Sequence, residues 1–243
     1  MRKTCWQYDI KQKIKAKEGD QVPFKDETNY LIKEITYREA KDFIIKYEWL
    51  KNIGSSKYCY GMFIDKCLAG VVCFSDPVAP KSYSKLLDIN EGEILQLSRG
   101  ASSHWAPKWV GSKLISESLK RIQKKLNIKI VVAYADPKAG EIGTIYQASN
   151  AYYIGYTNPG GAKKYKIKGT VYHPRKLHKK FGTRNIGFLK KLDPKLQIIK
   201  IHPKHRYIFI LQNGTNRKRF LERIEHLIQP YPKRVKSVNT FLS

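Results

Sequence analysis

EILQLSRGASSHWAPKWVGSKLISESLKRIQKKLNIKIVVAYADPKAGEIGTIYQASNAYYIG, residues 93–155, is the stretch whose reading decides the fold. Glu93–Ser98 is a short, largely apolar run ending in Arg99-Gly100. Pro107 opens a predicted helix in which Val110, Leu114, Ile115, Leu119, Ile122 and Leu126 recur at helical spacing. Lys129–Ala135 (KIVVAYA) is continuous, apolar and rich in β-branched residues, the pattern of a strand buried on both faces. It stops at Asp136-Pro137. Gly140 and Gly143 punctuate a turn, Thr144 is placed to cap a short helix, and Tyr152-Tyr153-Ile154 forms the next strand.

Asp136 is the first candidate functional residue. A carboxylate where a buried strand surfaces sits where open α/β sheets hold their ligands. Asp-Pro is also ordinary turn chemistry, so position alone leaves both readings open. Glu141, Tyr146, Gln147 and Asn150 then crowd polar, proton-handling side chains into one turn and one helix. A purely structural loop has little need of that set.

Upstream, Tyr30–Ile35 alternates as a first strand, and Arg38–Leu50 is a helix with Phe43, Ile44, Tyr47 and Leu50 on its apolar face. Tyr58–Ile64 and Leu68–Phe74 make a hairpin around Asp65-Lys66, and Ser75–Asn90, with Pro77 and Pro80, reads as a loop. Residues 1–28 read as a loosely packed arm anchored by Trp6, Tyr8, Val22 and Phe24. The order β-α-β-β-β-α-β-α-β predicts an α+β protein, a mixed sheet flanked by helices, spanning residues 29–157.

The charge is lopsided. The chain carries +27, from 47 basic against 20 acidic residues. Residues 158–243 hold 22 Lys+Arg against 3 Asp+Glu, a net of +19, while the first 157 hold 25 against 17, a net of +8. His205–Leu211 still reads as a strand, and Asn216–Ile228 as a basic helix with Phe220, Leu221, Ile224 and Leu227 on one face. The last third is therefore expected to be a folded basic extension packed on the core, gripping the phosphates of a polyanion, most simply a nucleic acid. An anionic membrane surface is the alternative, with no apolar run of about 18 residues to span it. The N-terminus lacks the apolar core of a secretory signal, and Cys5, Cys59, Cys67 and Cys73 lack CxxC spacing. Both features fit a reducing cytoplasm.

LSRGASSHWAPKWVGSKLIS, residues 97–116, followed by YADPKAGEIGTIYQASNAYYIG, residues 134–155, resembles the core of the Mom family of phage DNA-modification proteins. YEWL and CLAGVVCFSDP upstream and HRYIF and PYPK downstream extend the resemblance over roughly residues 30–235. It implies an acetyltransferase-like (GNAT) fold and transfer of a carbamoylmethyl group to N6 of adenine in double-stranded DNA, in the cytoplasm of the infected host. It makes acetyl-CoA, or another acyl-CoA, the expected donor. Within that picture Asp136 would take the N6 proton, Tyr146 would protonate the leaving group, and Glu141 is the alternative base.

Other candidates gather around this set. Lys108-Trp109-Val110-Gly111-Ser112-Lys113 opens the long helix, where free backbone amides can bind a pyrophosphate. Lys113 stands where the usual basic-x-x-Gly-x-Gly pattern has a second small residue. Ser98 is a candidate donor to a carbonyl, and Arg99 a candidate contact for a phosphate or carboxylate. Glu48-Trp49 ends the first helix where related proteins often carry His, so no metal role transfers to Glu48. His104, Trp105, Trp49 and Gln147 are candidates for holding a flipped base. Lys163, Lys164, Arg175, Lys179, Lys180, Arg206, Arg217, Lys218 and Arg219 are the candidate phosphate contacts. His202-x-x-His205 is a weak metal pair, broken by Pro203, and no metal is expected there. Two alternatives remain: a related transferase acting on tRNA, and a non-catalytic nucleic-acid-binding module on the same scaffold.

Overall fold

The computed structural model describes residues 5–157, 162–172 and 174–234. They divide into two compact units, residues 1–155 with 205–243, and residues 156–204.

The larger unit is built on a seven-stranded mixed sheet: β1 (Tyr30–Glu34), β2 (Tyr58–Ile64), β3 (Cys67–Ser75), β4 (Ile94–Ser102), β5 (Ile130–Ala135), β6 (Tyr152–Tyr156) and β10 (His205–Ile210). Their spatial order is β1-β2-β3-β4-β5-β10-β6. Neighbours from β1 to β4 run antiparallel, β4 and β5 run parallel, and β10 returns antiparallel to β5. Mixed, helix-flanked and α+β, this is the acetyltransferase-like architecture expected from the sequence.

Both faces of the sheet are covered, which explains the unbroken apolar run of β5. Val131 and Ala133 pack with Leu114, Ile115, Leu119 and Ile122 of α4 (Val110–Lys125). Ile130 and Val132 pack the other way, with Leu87 of α3 (Pro80–Leu87) and Phe220 and Ile224 of α8 (Gly214–Ile224). α2 (Tyr37–Tyr47) starts at a reciprocal capping box between Thr36 and Glu39 and lays Phe43, Ile44 and Tyr47 on Cys59, Val71 and Cys73.

One irregularity opens the middle of the sheet. β4 pairs with β5 only from Ile94 to Leu97, opposite Ile130 to Ala133. Beyond Leu97, β4 stays with β3, and the register there jumps from Leu97 opposite Phe74 to Arg99 opposite Cys73. Ser98 is the extra residue of a β-bulge, and bulges of this kind re-aim side chains at sheet openings. Past Ala133, β5 stays with β10. The two central strands therefore separate, and residues 98–99 and 134–136 flank the gap.

The smaller unit is an antiparallel three-stranded sheet, β8 (Thr170–Tyr172), β7 (Ala162–Ile167) and β9 (Gln197–Ile201), in that order, with α6 (Pro174–Phe181) and α7 (Ile186–Leu192). Lys168 and Gly169 both take positive φ, the geometry of the tight hairpin turn between β7 and β8. Its core is small: Ile167, Leu177 and Leu189, with Tyr165, Tyr172, Phe181 and Leu196 against them.

Three expectations change. The N-terminal arm contains a helix, α1 (Trp6–Glu18), whose Trp6 ring meets Trp49 edge-on at 5.0 Å and whose Lys11 Nζ donates to Ser102 Oγ at 2.6 Å. The expected loop 75–90 holds α3, because Pro80 takes the first helical turn, where its missing N–H costs nothing. The strand expected at 205–211 is β10, and its place is inside the main sheet, with α8 following it onto the same unit.

Candidate active site

The gap between β4 and β5 gathers side chains from five separate segments. Ser98, turned out by the bulge, donates through Oγ to the Cys73 carbonyl at 3.1 Å and lies 3.3 Å from Ser56 Oγ. Arg99 donates from Nη1 to the Ser98 carbonyl at 2.6 Å and from Nε to the Asn52 carbonyl. Its Nε stands 4.0 Å from Oε2 of Glu48, which caps the end of α2 and is only 6% exposed. Burying a carboxylate is costly without a cation nearby, and the Arg99 guanidinium stands within ion-pair distance.

The second half of the cluster comes from the turn after β5. Trp49 Nε1 donates to Glu141 Oε1 at 2.8 Å, and the Asp136 backbone N–H donates to Glu141 Oε2 at 3.1 Å. Tyr146, on the short α5 (Thr144–Gln147), points its hydroxyl at the Tyr134 carbonyl, 3.4 Å away. Burial raises the Tyr146 phenol far above its usual range, the charges of Glu141 and Glu48 push it further, and Arg99 opposes them. The phenol thus feels both carboxylates and the guanidinium. Gly143 makes this approach possible: it sits at φ +73°, and a Cβ there would lie 2.3 Å from the Tyr207 ring. Any side chain would drive the turn off Tyr207, which packs against Tyr146 at 5.4 Å.

Asp136 plays a different part. Its Oδ1 accepts the Lys138 backbone N–H at 2.9 Å, capping the 3-10 turn Pro137–Ala139. This is the turn chemistry that Asp-Pro suggests, and it places Asp136 beside the cluster through its backbone.

The start of α4 is the second feature. Trp109 is its N-cap and supplies no side-chain cap; the Val110 amide donates to the Pro107 carbonyl at 3.1 Å, and the Gly111 and Ser112 amides have no intrahelical acceptor. A cleft of about 510 Å³ runs along this end, lined by Tyr30, Trp109, Ser112, Lys113, Ser116 and Ala148 among others. Ser112 Oγ donates to the Trp109 carbonyl at 3.2 Å, and Lys113 Nζ lies 3.9 Å from Glu117. Lys108 is exposed. Gly111 faces inward: a Cβ there would fall 2.3 Å from Ile145 Cδ1, so it allows α4 and α5 to touch.

Several expected ligand contacts are committed to the fold. Trp105 packs on the core against Phe24, 6.0 Å away, instead of standing free for a base. His104 stacks on Tyr47 at 6.2 Å, and its Nδ1 is buried with no partner among the described residues. Gln147 spends its amide on the Ile142 carbonyl and Tyr207 hydroxyl, both at 3.0 Å, because the tight turn needs that brace. Arg206 donates to the Ile154 carbonyl at 2.9 Å, and Arg217 to Tyr152 Oη at 2.8 Å, both within the larger unit. Arg219 lies over the Phe220 ring, and Lys180 donates to Tyr172 Oη at 2.9 Å. Lys163, Lys164, Lys179 and Lys218 are exposed, and the side chain of Arg175 lies outside the described residues. His205 is buried, with its Nδ1 3.0 Å from Tyr153 Oη. Among the described residues no group of three or more His, Cys, Asp or Glu lies together in a metal-holding arrangement. No local motif marks Asn52 and Ser56 as site residues; they reach it only through the long-range pairing of β2 to β4.

Fold and site together define an α+β protein of acetyltransferase-like architecture, with a charged cluster and a phenol where its central strands part. The chain belongs to the Mom protein family, whose family model matches residues 29–233. It is 28% identical over 185 residues to methylcarbamoylase mom of Escherichia phage Mu, a match covering 74% of each chain. Among solved structures it is similar to an N-acetyltransferase from Staphylococcus aureus Mu50, with a TM-score of 0.42 and 12% identity over 76% of this chain and 99% of that one. It is also similar to a ribosomal-protein-S5-alanine acetyltransferase from Vibrio fischeri, with a TM-score of 0.43 and 10% identity over 79% and 98%. Likenesses this partial carry no residue roles. No helix among the described residues is long and apolar enough to cross a membrane.

Proposed function

We propose that this protein is a Mom-type transferase that modifies DNA, placing a carbamoylmethyl or related acyl-derived group on N6 of adenine in phage DNA inside the host cell and so blocking restriction. The observation that supports this reading is the family match over 29–233, which spans every residue of the Glu48–Arg99 and Trp49–Glu141–Tyr146 cluster.

The exocyclic amine of adenine is a poor nucleophile, because its lone pair is delocalised into the ring. It needs orientation and a base. Both carboxylates accept hydrogen bonds, Asp136 through Oδ1 from the Lys138 amide and Glu141 through both oxygens; the contact of Glu141 with Trp49 and its charge at Tyr146 support it as that base, with Asp136 the alternative. Tyr146 keeps its proton at neutral pH, because its phenol is pushed upward, and is therefore the group able to donate a proton to a leaving atom. Arg99, held against Glu48, offers a fixed positive charge for an oxygen that becomes anionic. A duplex adenine reaches such a site only after flipping, at about a few kcal/mol, which phosphate contacts elsewhere can offset.

For an acyl-CoA donor, the Gly111 and Ser112 amides at the start of α4, with Ser112 Oγ and Lys113 Nζ at the cleft, are the groups that would hold a diphosphate, against the opposing carboxylate of Glu27 on the same lining. Such a donor supplies an activated two-carbon unit. A carbamoylmethyl adduct is an alkylated amine, whereas plain acetyl transfer gives an amide, and the two differ in mass.

Nucleoside mass spectrometry of plasmid DNA from cells making the wild type or Glu141→Gln tests the reading. The expected result is a modified deoxyadenosine with the wild type that is absent with the variant. No adduct in DNA, or an adduct confined to RNA, would reject it.

A further inference from the structure

The smaller unit stands apart in charge. Residues 156–204 hold 14 Lys+Arg against one acidic residue, Asp193, a net of +13 in 49 residues. Nearly half of the chain's +27 thus sits in about a fifth of its length. A core of three fully buried aliphatic side chains is thin for so much charge.

The pairing register shows how the sheet of this unit presents itself. Successive strand residues alternate faces. On β7, Tyr165 and Ile167 share one face and pack with Leu177 of α6 and Leu189 of α7, so the helices cover that side in part, while Lys163, Ile198 and Lys200 on it stay exposed. Lys164 and Lys166 occupy the other face. Lys166 has Val171 of β8 on one side and Gln197 of β9 on the other, and Lys164 has Ile199 beside it. All five are exposed, Val171 at 47% and Ile199 at 38%. The result is an open sheet face bearing two ammonium groups, one amide and two β-branched side chains.

We propose that this open face docks into the major groove of double-stranded DNA, with Lys164 and Lys166 on phosphates and Gln197 toward a base edge. The inference rests on the DNA-modifying function proposed for the larger unit and names the surface that would supply its grip. Charge complementarity argues for a polyanion. The side chains argue for a duplex. Single-strand binders display aromatic platforms on which bases stack, whereas on this face Tyr165 and Tyr172 are turned onto the small core, and the exposed Phe188 stands on α7 instead. The B-DNA major groove is wide enough for β-strands, while that of an A-form RNA duplex is too deep and narrow. Gln is a bidentate partner for the adenine edge in that groove, and Val171 and Ile199 suit apolar contact with thymine methyls.

The experiment uses the full chain and fluorescence anisotropy with a labelled 20-base-pair DNA, across a salt series, beside the matching single strand and the RNA duplex. Lys164→Gln/Lys166→Gln is compared with Lys190→Gln/Lys191→Gln, which removes two exposed charges from α7 on the covered side. Melting curves confirm that both variants stay folded. The open-face pair is expected to weaken DNA-duplex binding about tenfold or more at 0.1 M salt and to lower the salt slope by about two, while the α7 pair changes binding less than about twofold. The wild type is expected to prefer the DNA duplex to both other probes. Equal losses from the two pairs would overturn the assignment, as would tighter binding to the single strand or equal binding to the RNA duplex. Failure of this proposal is distinguishable from failure of the enzymatic one: duplex binding through this face with no modified nucleoside in cells would sink the enzymatic reading and leave this one standing.

Discussion

The two units solve different problems with the same elements. The larger unit covers both faces of its central strands, so β5 is continuous hydrocarbon, and four of its polar groups, Glu48, Arg99, Glu141 and Tyr146, meet where two of those strands part. The smaller unit packs its helices on part of one sheet face and leaves lysines exposed across the rest of the sheet. The first arrangement fixes a few groups rigidly in a low-dielectric pocket, which suits proton transfer. The second spreads mobile charge over a surface, which suits a partner read mostly by its phosphates. The contrast teaches that the high net charge and the candidate chemistry are separate features of the chain.

The largest effect that tests this contrast is chemical. Glu141→Gln keeps the Trp49 contact possible but cannot accept a proton. It is expected to cut the yield of modified deoxyadenosine by about a hundredfold or more, while duplex affinity measured by anisotropy stays within about twofold. A parallel loss of binding would mean that the two functions are not divided between the units.

Stability gives the next test. Ile208 is fully buried in β10 of the main sheet, and Leu189 is fully buried in the core of the smaller unit. Truncation of each to Ala is expected to cost about 2–5 kcal/mol. Ile208→Ala should lower the main calorimetric transition. Leu189→Ala should abolish order in residues 156–204, seen as lost amide protection there, with the main transition kept. One merged transition falling equally in both variants would join the units into a single cooperative block.

The pH response should also differ. Burial holds the His205 imidazole below its usual value, so the fold disfavours its protonation. Stability from this group is full above the unfolded pKa of about 6.5 and declines as pH falls from there toward the folded value. In the smaller unit, Asp193 is lowered mainly by the hydrogen bond from the Lys168 amide. Its contribution is present above the unfolded value near 4 and is lost as pH falls through the still lower folded one. Amide exchange is therefore expected to loosen the main sheet around β10 as pH falls below about 6.5, before the smaller unit responds. The reverse order would contradict these assignments.

The smallest effect separates two neighbours. Asp136→Asn keeps a side-chain oxygen able to cap the 137–139 turn, and Asn caps about as well as Asp. Adduct yield is expected to fall less than about threefold. A loss as deep as that of Glu141→Gln would restore Asp136 as the base.

Much of the larger unit is legible in the sequence because burial on two faces leaves a plain signature. β5 reads as continuous β-branched apolar residues, and α4 shows its periodicity at Val110, Leu114, Ile115, Leu119 and Ile122. α1 is not legible, since it has no fully buried residue and is held by contacts to residues about 40 to 90 positions away. β10 reads correctly as a strand, but its insertion between β5 and β6 depends on pairing across some 70 residues, which no local pattern records. In the candidate site, the polar density at 136–150 marks a turn that the structure places beside the gap between β4 and β5. It does not separate Glu141, which faces Trp49, from Asp136, which caps, or from Gln147, which braces. Those roles depend on side-chain direction, and sequence spacing does not fix that. Composition groups Arg206 and Arg217 with the surface lysines because it counts charge without seeing which guanidinium is already paired.

The most direct test crosses the two variants in one assay. Adduct yield per genome and duplex affinity are measured side by side for Glu141→Gln and for Lys164→Gln/Lys166→Gln. The account predicts that the first variant binds normally and modifies nothing, and that the second binds poorly yet regains adduct when made in excess. If the lysine variant modifies DNA at the normal rate without binding it well, or if Glu141→Gln still marks adenine, the division of labour described here is contradicted.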